Sequence, residues 1–201
     1  MAKLILVRHG QSTGNAERVY ATNPHALALT ELGEHQACEA GRKIAKLFRA
    51  ELVVASSYLR AQWTGRLIAE VLGVPLEVEK DLHERDAGLF MGKPYDSVVS
   101  ATGYDPKQPW RWRPPKGESL EDVKARAAPV IDRLAATHRD RDVVVVSHGG
   151  VMYALWSHFT GSWEGAQIPQ NCGIFVVEHD GLRYGAPTVI GDQIGDTWTG
   201  G

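Results

Sequence analysis

Four short apolar runs punctuate the chain, at residues 4–7, 52–55, 143–146 and 174–177. None alternates apolar with polar. Such runs predict strands covered on both faces, as in a sheet with helices packed above and below it. Residues 76–78 predict a small further strand.

Helical periodicity fills the intervals. Residues 31–49 put Ala37, Ala40, Ile44, Leu47 and Phe48 on one face behind Thr30 as N-cap. Residues 58–72 bring Leu59, Trp63, Leu67, Ile68 and Val71 together behind Ser57 as N-cap. Residues 120–137 do the same with Leu120, Val123, Ala127, Val130, Ile131 and Leu134. There Ser119, followed three residues later by Asp122, reads as a capping box. Pro129 inside that pattern predicts a kink or a break. Residues 150–160, after Gly149 and Gly150, predict a fourth helix.

Strands alternating with helices predict an α/β fold with a mostly parallel central sheet. The 201 residues fit one domain. Residues 82–118 break the rhythm. They are rich in Pro and Gly, carry Trp110, Arg111, Trp112 and Arg113, and read as an insertion over the carboxyl edge of the sheet. The last 15 or so residues, ending TWTGG, have no period and are expected to be loosely held.

Composition narrows the function. Hydrophobic residues make up 43% and charged residues 23%, as in ordinary globular proteins. The formal charge of -2 gives no basic field to recruit nucleic acid or an anionic membrane. Cys38 and Cys172 lack the spacing of a metal site and read as reduced packing residues of a cytoplasmic protein. The first apolar run ends on Arg8 after four residues, too short for a signal peptide or a membrane span. The expected partner is a small anionic molecule captured by a local cluster of charge, and a homodimer stays open as an assembly.

Ligands of open α/β sheets bind at the carboxyl ends of the strands. The first strand delivers Arg8, His9, Gly10, Ser12 and Asn15 to that edge. The second delivers Ser56 and Ser57, then Arg60 in the first turn of its helix. A third delivers Ser147, His148, Gly149 and Gly150. A lone histidine or arginine at a strand end is usually packing or surface charge. Here two arginines, two histidines and two helix N-termini converge, and their mutual repulsion is relieved only by an anion among them. A guanidinium matches phosphate oxygens with its planar fork. An imidazole can attack phosphorus and carry the phosphoryl group, while cations neutralise the oxygens. Charge alone leaves open which histidine attacks. The leaving oxygen also needs a proton from a carboxyl partly shielded from water. Glu84, in LHERDAGLFMG, is the candidate, with Asp81, Asp86 and Glu118 as competitors.

In these segments the sequence resembles the histidine phosphatase superfamily, in its phosphoglycerate-mutase-like branch. The matching pieces are RHGQSTGN (8–15), LTELGEHQACEAG (29–41), SSYLRAQWTG (56–65), LHERDAGLFMG (82–92), GES (117–119) and SHGG (147–150), in the family's order. The resemblance implies a three-layer α/β/α sandwich. It makes His9 the nucleophile and Glu84 the proton donor. Arg8, Arg60 and His148 would bind the phosphoryl oxygens, with Asn15 on the same pocket and Gly149 lending a backbone N–H. It implies neither metal nor cofactor. Gln11 departs from the glutamate common there, and residues 21–30 lack the tryptophan and aspartate often seen before LT. After Glu84 the mutases resemble ERHYG followed by a GLNK run, where this chain has ERDAGLFMGKPYD. The mutase's acid-recognising residues are unmatched.

Three readings follow. The first is a metal-independent phosphatase acting on a small phosphorylated metabolite. The second is a cofactor-dependent phosphoglycerate mutase, and the third a non-catalytic phosphate-ligand binding protein. Trp110, Arg111, Trp112 and Arg113 form either a substrate lid with stacking surface and anion contacts, or an anchor with both arginines in solvent.

Overall fold

The computed structural model describes residues 1–166 and 168–191. Each apolar run becomes a strand of one six-stranded sheet: β1 (Ala2–Arg8), β2 (Ala50–Ser56), β3 (Leu76–Glu79), β4 (Asp142–Ser147), β5 (Ile174–His179) and β6 (Thr188–Ile190). The order is β3-β2-β4-β1-β5-β6. β1 to β4 run parallel, and β5 and β6 are antiparallel to their inner neighbours. β6 lies in the tail that lacks a period, where three residues sufficed for an edge strand. Residues 192–201, with the TWTGG end, lie outside the described residues.

The pleat divides the core into two layers. Leu4 and Leu6 of β1 and Val143 and Val145 of β4 face one side. They pack there with Val123 and Ile131 of α4 (Leu120–Thr137) and Met152 and Leu155 of α5 (Gly149–Thr160). Ile5, Val7, Val144 and Val146 face the other. There they meet Ala37, Ala40 and Ile44 of α2 (Glu31–Leu47) and Ala61 and Ile68 of α3 (Leu59–Leu72). The result is an α/β/α sandwich. None of the described helices is long and apolar enough to cross a membrane.

Thr30 caps α2 as expected, accepting from the Gly33 N–H. Ser119 and Asp122 form the capping box of α4. α4 continues through Pro129, because the proline sits on the solvent face, where water can satisfy the carbonyl that loses its donor.

α3 departs from its periodicity. Its N-cap is Tyr58 rather than Ser57, without a side-chain hydrogen bond. Its buried face is Arg60, Ala61, Thr64, Gly65, Ile68 and Ala69, while Leu59, Trp63 and Val71 are exposed. Close approach decides this. A Cβ on Gly65 would stand 2.9 Å from the Ala55 Cβ of β2, so small residues line the contact. That rotation carries Arg60 inward.

Between β3 and α4 the chain runs through short 3-10 turns at Lys80–Leu82, Gly88–Phe90 and Tyr95–Val98. It docks on the segment following α1 (Thr13–Glu17), through Tyr20 N–H to the Lys93 carbonyl at 2.9 Å and Gly92 N–H to the Tyr20 carbonyl at 2.7 Å.

Candidate active site

β1 and β4 pair in parallel with Arg8 opposite Ser147. His9 and His148 each follow by one residue, so strand register sets the two imidazoles side by side, with ring centroids 5.1 Å apart. The His9 ring is buried, and its Nδ1 donates to the Gly10 carbonyl at 2.7 Å. This leaves Nε2 unprotonated, with its lone pair turned to the pocket side of the ring as an acceptor. Arg60 Nε donates to that atom at 3.0 Å. Burial, then the charges of Arg60 and Arg8, hold the His9 pKa well below its ordinary value, so the ring stays neutral. Gly10 fits because a Cβ there would stand 2.3 Å from the Gly33 carbonyl oxygen, where α2 crosses beneath the loop.

His148 caps the start of α5, and its Nε2 lies 2.7 Å from Ser56 Oγ. The Tyr58 N–H donates to that same oxygen at 3.3 Å. The other ring nitrogen, Nδ1, is buried and has no protein partner. Burial, then Arg60 and His9, hold the His148 pKa well below its ordinary value.

The arginines are held by backbone. Arg8 Nη1 donates to the Pro169 carbonyl at 3.1 Å, and Arg60 Nη1 to the Pro24 carbonyl at 2.9 Å. Buried Arg8 Nε has no protein partner. Thr64, one turn beyond Arg60, accepts from the Gly10 N–H and donates to the Arg60 carbonyl, tying α3 to the β1 loop.

Glu84 stands across from this cationic group. Its Oε1 accepts from the Arg85 N–H at 2.7 Å and its Oε2 from the Gly150 N–H at 3.2 Å. A Cβ at Gly150 would lie 2.5 Å from Glu84 Oε1, so only glycine leaves the carboxylate its place. The competing carboxylates do other work or lie elsewhere. Asp86 is exposed and accepts from the Gly88 N–H, Glu118 pairs with Arg126, and Asp81 is not among the residues lining the pocket.

Arg8, His9, Asn15, Arg60, Glu84 and Gly150 line one pocket. The glycine there is Gly150 rather than Gly149, because α5 begins at Gly149 and turns the next N–H toward Glu84. Asn15 closes the capping box of α1 with Ser12 and donates to the Tyr95 hydroxyl at 3.3 Å. The rest of the wall is mainly apolar or aromatic, with Val19, Leu27 and Met91 beside Tyr20 and Tyr95, and with Arg85 next to them. Burial pushes the Tyr20 hydroxyl up to about 12.

Trp110, Arg111, Trp112 and Arg113 are not part of that lining, which corrects the lid expectation. Trp110 stacks on Trp163, and Trp112 packs against Phe90 and Tyr104. Arg111 and Arg113 reach Glu121 and Asp122 from solvent. The tryptophans bury their rings by anchoring the insertion, and residues 91 and 95 of that insertion face the pocket instead. Gln11 turns away as well, its side-chain oxygen accepting from Thr30 Oγ1 at 2.9 Å at the start of α2. Among the described residues, no group of three or more His, Cys, Asp or Glu is placed to hold a metal ion.

A model of the histidine phosphatase superfamily (branch 1) matches residues 4–186. A 2,3-bisphosphoglycerate-dependent phosphoglycerate mutase of Methylobacterium sp. (strain 4-46) is 38% identical over 162 residues, 76% of this chain and 77% of that relative. Among solved structures, a mycobacterial glucosyl-3-phosphoglycerate phosphatase in complex with VO3 matches with a TM-score of 0.79 at 28% identity, over 98% of both chains. A second, mycobacterial hydrolase 1, matches with a TM-score of 0.81 at 25% identity, over 98% of this chain and 97% of its own.

Proposed function

The chain belongs to the histidine phosphatase superfamily, and on that premise we propose that it hydrolyses a small phosphomonoester through a phosphohistidine formed on His9. The observation that carries this reading is the state of His9. Its Nδ1 proton is tied to the Gly10 carbonyl, its Nε2 is unprotonated and accepts from Arg60 Nε, and burial beside two arginines keeps it so.

In the first step the Nε2 lone pair bonds to phosphorus as the ester P–O bond breaks. Arg8, Arg60 and His148, whose buried Nδ1 has no protein partner, meet the phosphoryl oxygens, where charge builds in the transition state. The protonated Glu84 carboxyl gives its proton to the departing alkoxide. In the second step Glu84 takes a proton from water as that water attacks phosphorus. The N–P bond breaks, inorganic phosphate leaves, and His9 recovers its lone pair. Cationic side chains carry the neutralisation, so the reaction runs without a metal. Asn15 holds the mouth of the site through Tyr95. The substrate is a phosphorylated metabolite of the cytoplasm, in keeping with two unpaired cysteines.

The mutase reading draws on the identity shared with the mutase relative. The two differ in what attacks phosphohistidine, water or a bound hydroxyl kept dry. The segment after Glu84 favours hydrolysis, because ERDAGLFMGKPYD lacks the ERHYG and GLNK pieces that the mutases resemble there. Incubation with phosphoglycerate and with a panel of phosphorylated metabolites separates them. Free phosphate without isomer formation is expected. Isomerisation with little phosphate release would overturn the reading, and a protein that does neither would favour a binding role.

A further inference from the structure

Glu84 sits on a stretch with little regular structure, residues 83–87, following the 3-10 turn Lys80–Leu82. A proton donor on such a stretch needs its backbone fixed from elsewhere. One side chain of α4 reaches it on both sides. Arg126 Nη1 donates to the Asp81 carbonyl at 2.8 Å, and Arg126 Nη2 to the Glu84 carbonyl at 3.3 Å. Nε and Nη2 also form a fork on Glu118, each at 2.9 Å. Glu118 extends the grip past Glu84. Its Oε2 accepts from the Asp86 N–H at 3.1 Å, and its own N–H donates to the Asp86 carbonyl at 2.9 Å. The pair is largely shielded, with side chains 15% and 23% exposed, so its geometry is held more firmly than a surface ion pair's. Neither residue lines the pocket.

From this geometry we infer that Arg126 and Glu118 are positioning residues for the Glu84 carboxyl, clamping the backbone before, at and after it. The inference rests on the proton-donor role given to Glu84 above. A clamp of this kind acts on the two proton transfers of Glu84, to the leaving oxygen in the first step and from water in the second. Phosphoryl binding by Arg8, Arg60 and His148 comes from β1, α3 and the start of α5 and keeps its own supports.

The test uses two substrates of similar shape, phenyl phosphate and p-nitrophenyl phosphate. Nitrophenolate leaves readily without a proton, whereas phenolate needs one. Arg126→Lys keeps the charge and loses the fork, and Glu118→Gln keeps the size and loses the charge. In both, kcat/KM for phenyl phosphate, which covers only the step that expels the leaving group, should fall at least about 10-fold more than kcat/KM for p-nitrophenyl phosphate. A purely structural role predicts equal losses, and equal losses in folded variants would overturn the inference. Variants that both fail to fold by circular dichroism would assign the pair to stability and overturn it too. Glu84→Gln is the control. If it shows the selective loss while the clamp variants do not, the clamp alone is wrong. If it shows equal losses, the donor role falls and takes the clamp with it.

Discussion

Arg60 is a helix residue that works as part of a strand end. Its Nε meets His9 Nε2, the atom to which phosphorus would bond, so it contributes where charge changes most. Arg60→Ala should lower kcat/KM for an aryl phosphate on the order of 10²-fold or more; steady-state assays that find the rate unchanged would remove Arg60 from the chemistry. Gly150 makes the complementary case on the acid side. Gly150→Ala puts a methyl group 2.5 Å from Glu84 Oε1 and must displace the carboxyl. A loss in kcat of roughly 10²-fold is expected for poor leaving groups, with the fold intact; near-native turnover would contradict the tight fit. Arg8, His9, Arg60 and His148 were legible in the sequence because each sits at a fixed offset from a recognisable strand or helix start, whereas only the family resemblance set Glu84 apart from Asp81, Asp86 and Glu118. Gly150 was not separable from Gly149, because helix phase decides which N–H turns inward. Arg126 gave no local signal, since its partners lie 8 to 45 residues away.

α3 and α4 mark the limits of pattern reading at the next scale. Periodicity located α3 but misjudged its buried face, because the approach of the helix to β2 is set by Gly65 and Ala61 rather than by its largest apolar residues. For α4, Pro129 raised the expectation of a break that exposure made unnecessary. The proline still costs stability, since alanine is favoured over proline in helix interiors by about 3 kcal/mol. Proline also restrains the unfolded chain, which offsets about 1 kcal/mol of that. Pro129→Ala should therefore stabilise the protein by about 1–2 kcal/mol and raise Tm by roughly 2–8 °C in a thermal melt. A Tm that falls would mean the ring makes contacts the helix needs. The same burial argument explains the insertion, whose tryptophans drew attention by composition, while composition carries no information on which way a loop faces.

Across the whole molecule, layer order and the mostly parallel sense of the sheet were legible, and the reversal at its β5 edge was not. The apolar runs identified a doubly covered sheet, yet the antiparallel sense of β5 depends on the chain's return path. The sandwich also explains a pH dependence. His9 and His148 lie buried at the ends of adjacent strands, with pKa values well below the ordinary one. Unfolded, each would titrate near about 6.5. Below that pH the unfolded chain binds more protons than the folded one, so stability falls as pH drops. Calorimetry should show Tm decreasing between about pH 7 and 5, less steeply in His9→Asn and less steeply with inorganic phosphate bound. A wild-type profile matching that of His9→Asn would contradict the buried neutral histidine.

The account stands or falls on the covalent intermediate. Rapid acid-free quenching of the enzyme during turnover of a phosphate-labelled ester, followed by peptide mass spectrometry, looks for it directly. The expected result is a base-stable, acid-labile phosphoryl group on His9 of the wild-type enzyme, formed and lost at rates that match phosphate release, and absent from His9→Ala. Phosphate release that proceeds with His9 unmodified, or that survives in His9→Ala, would contradict it.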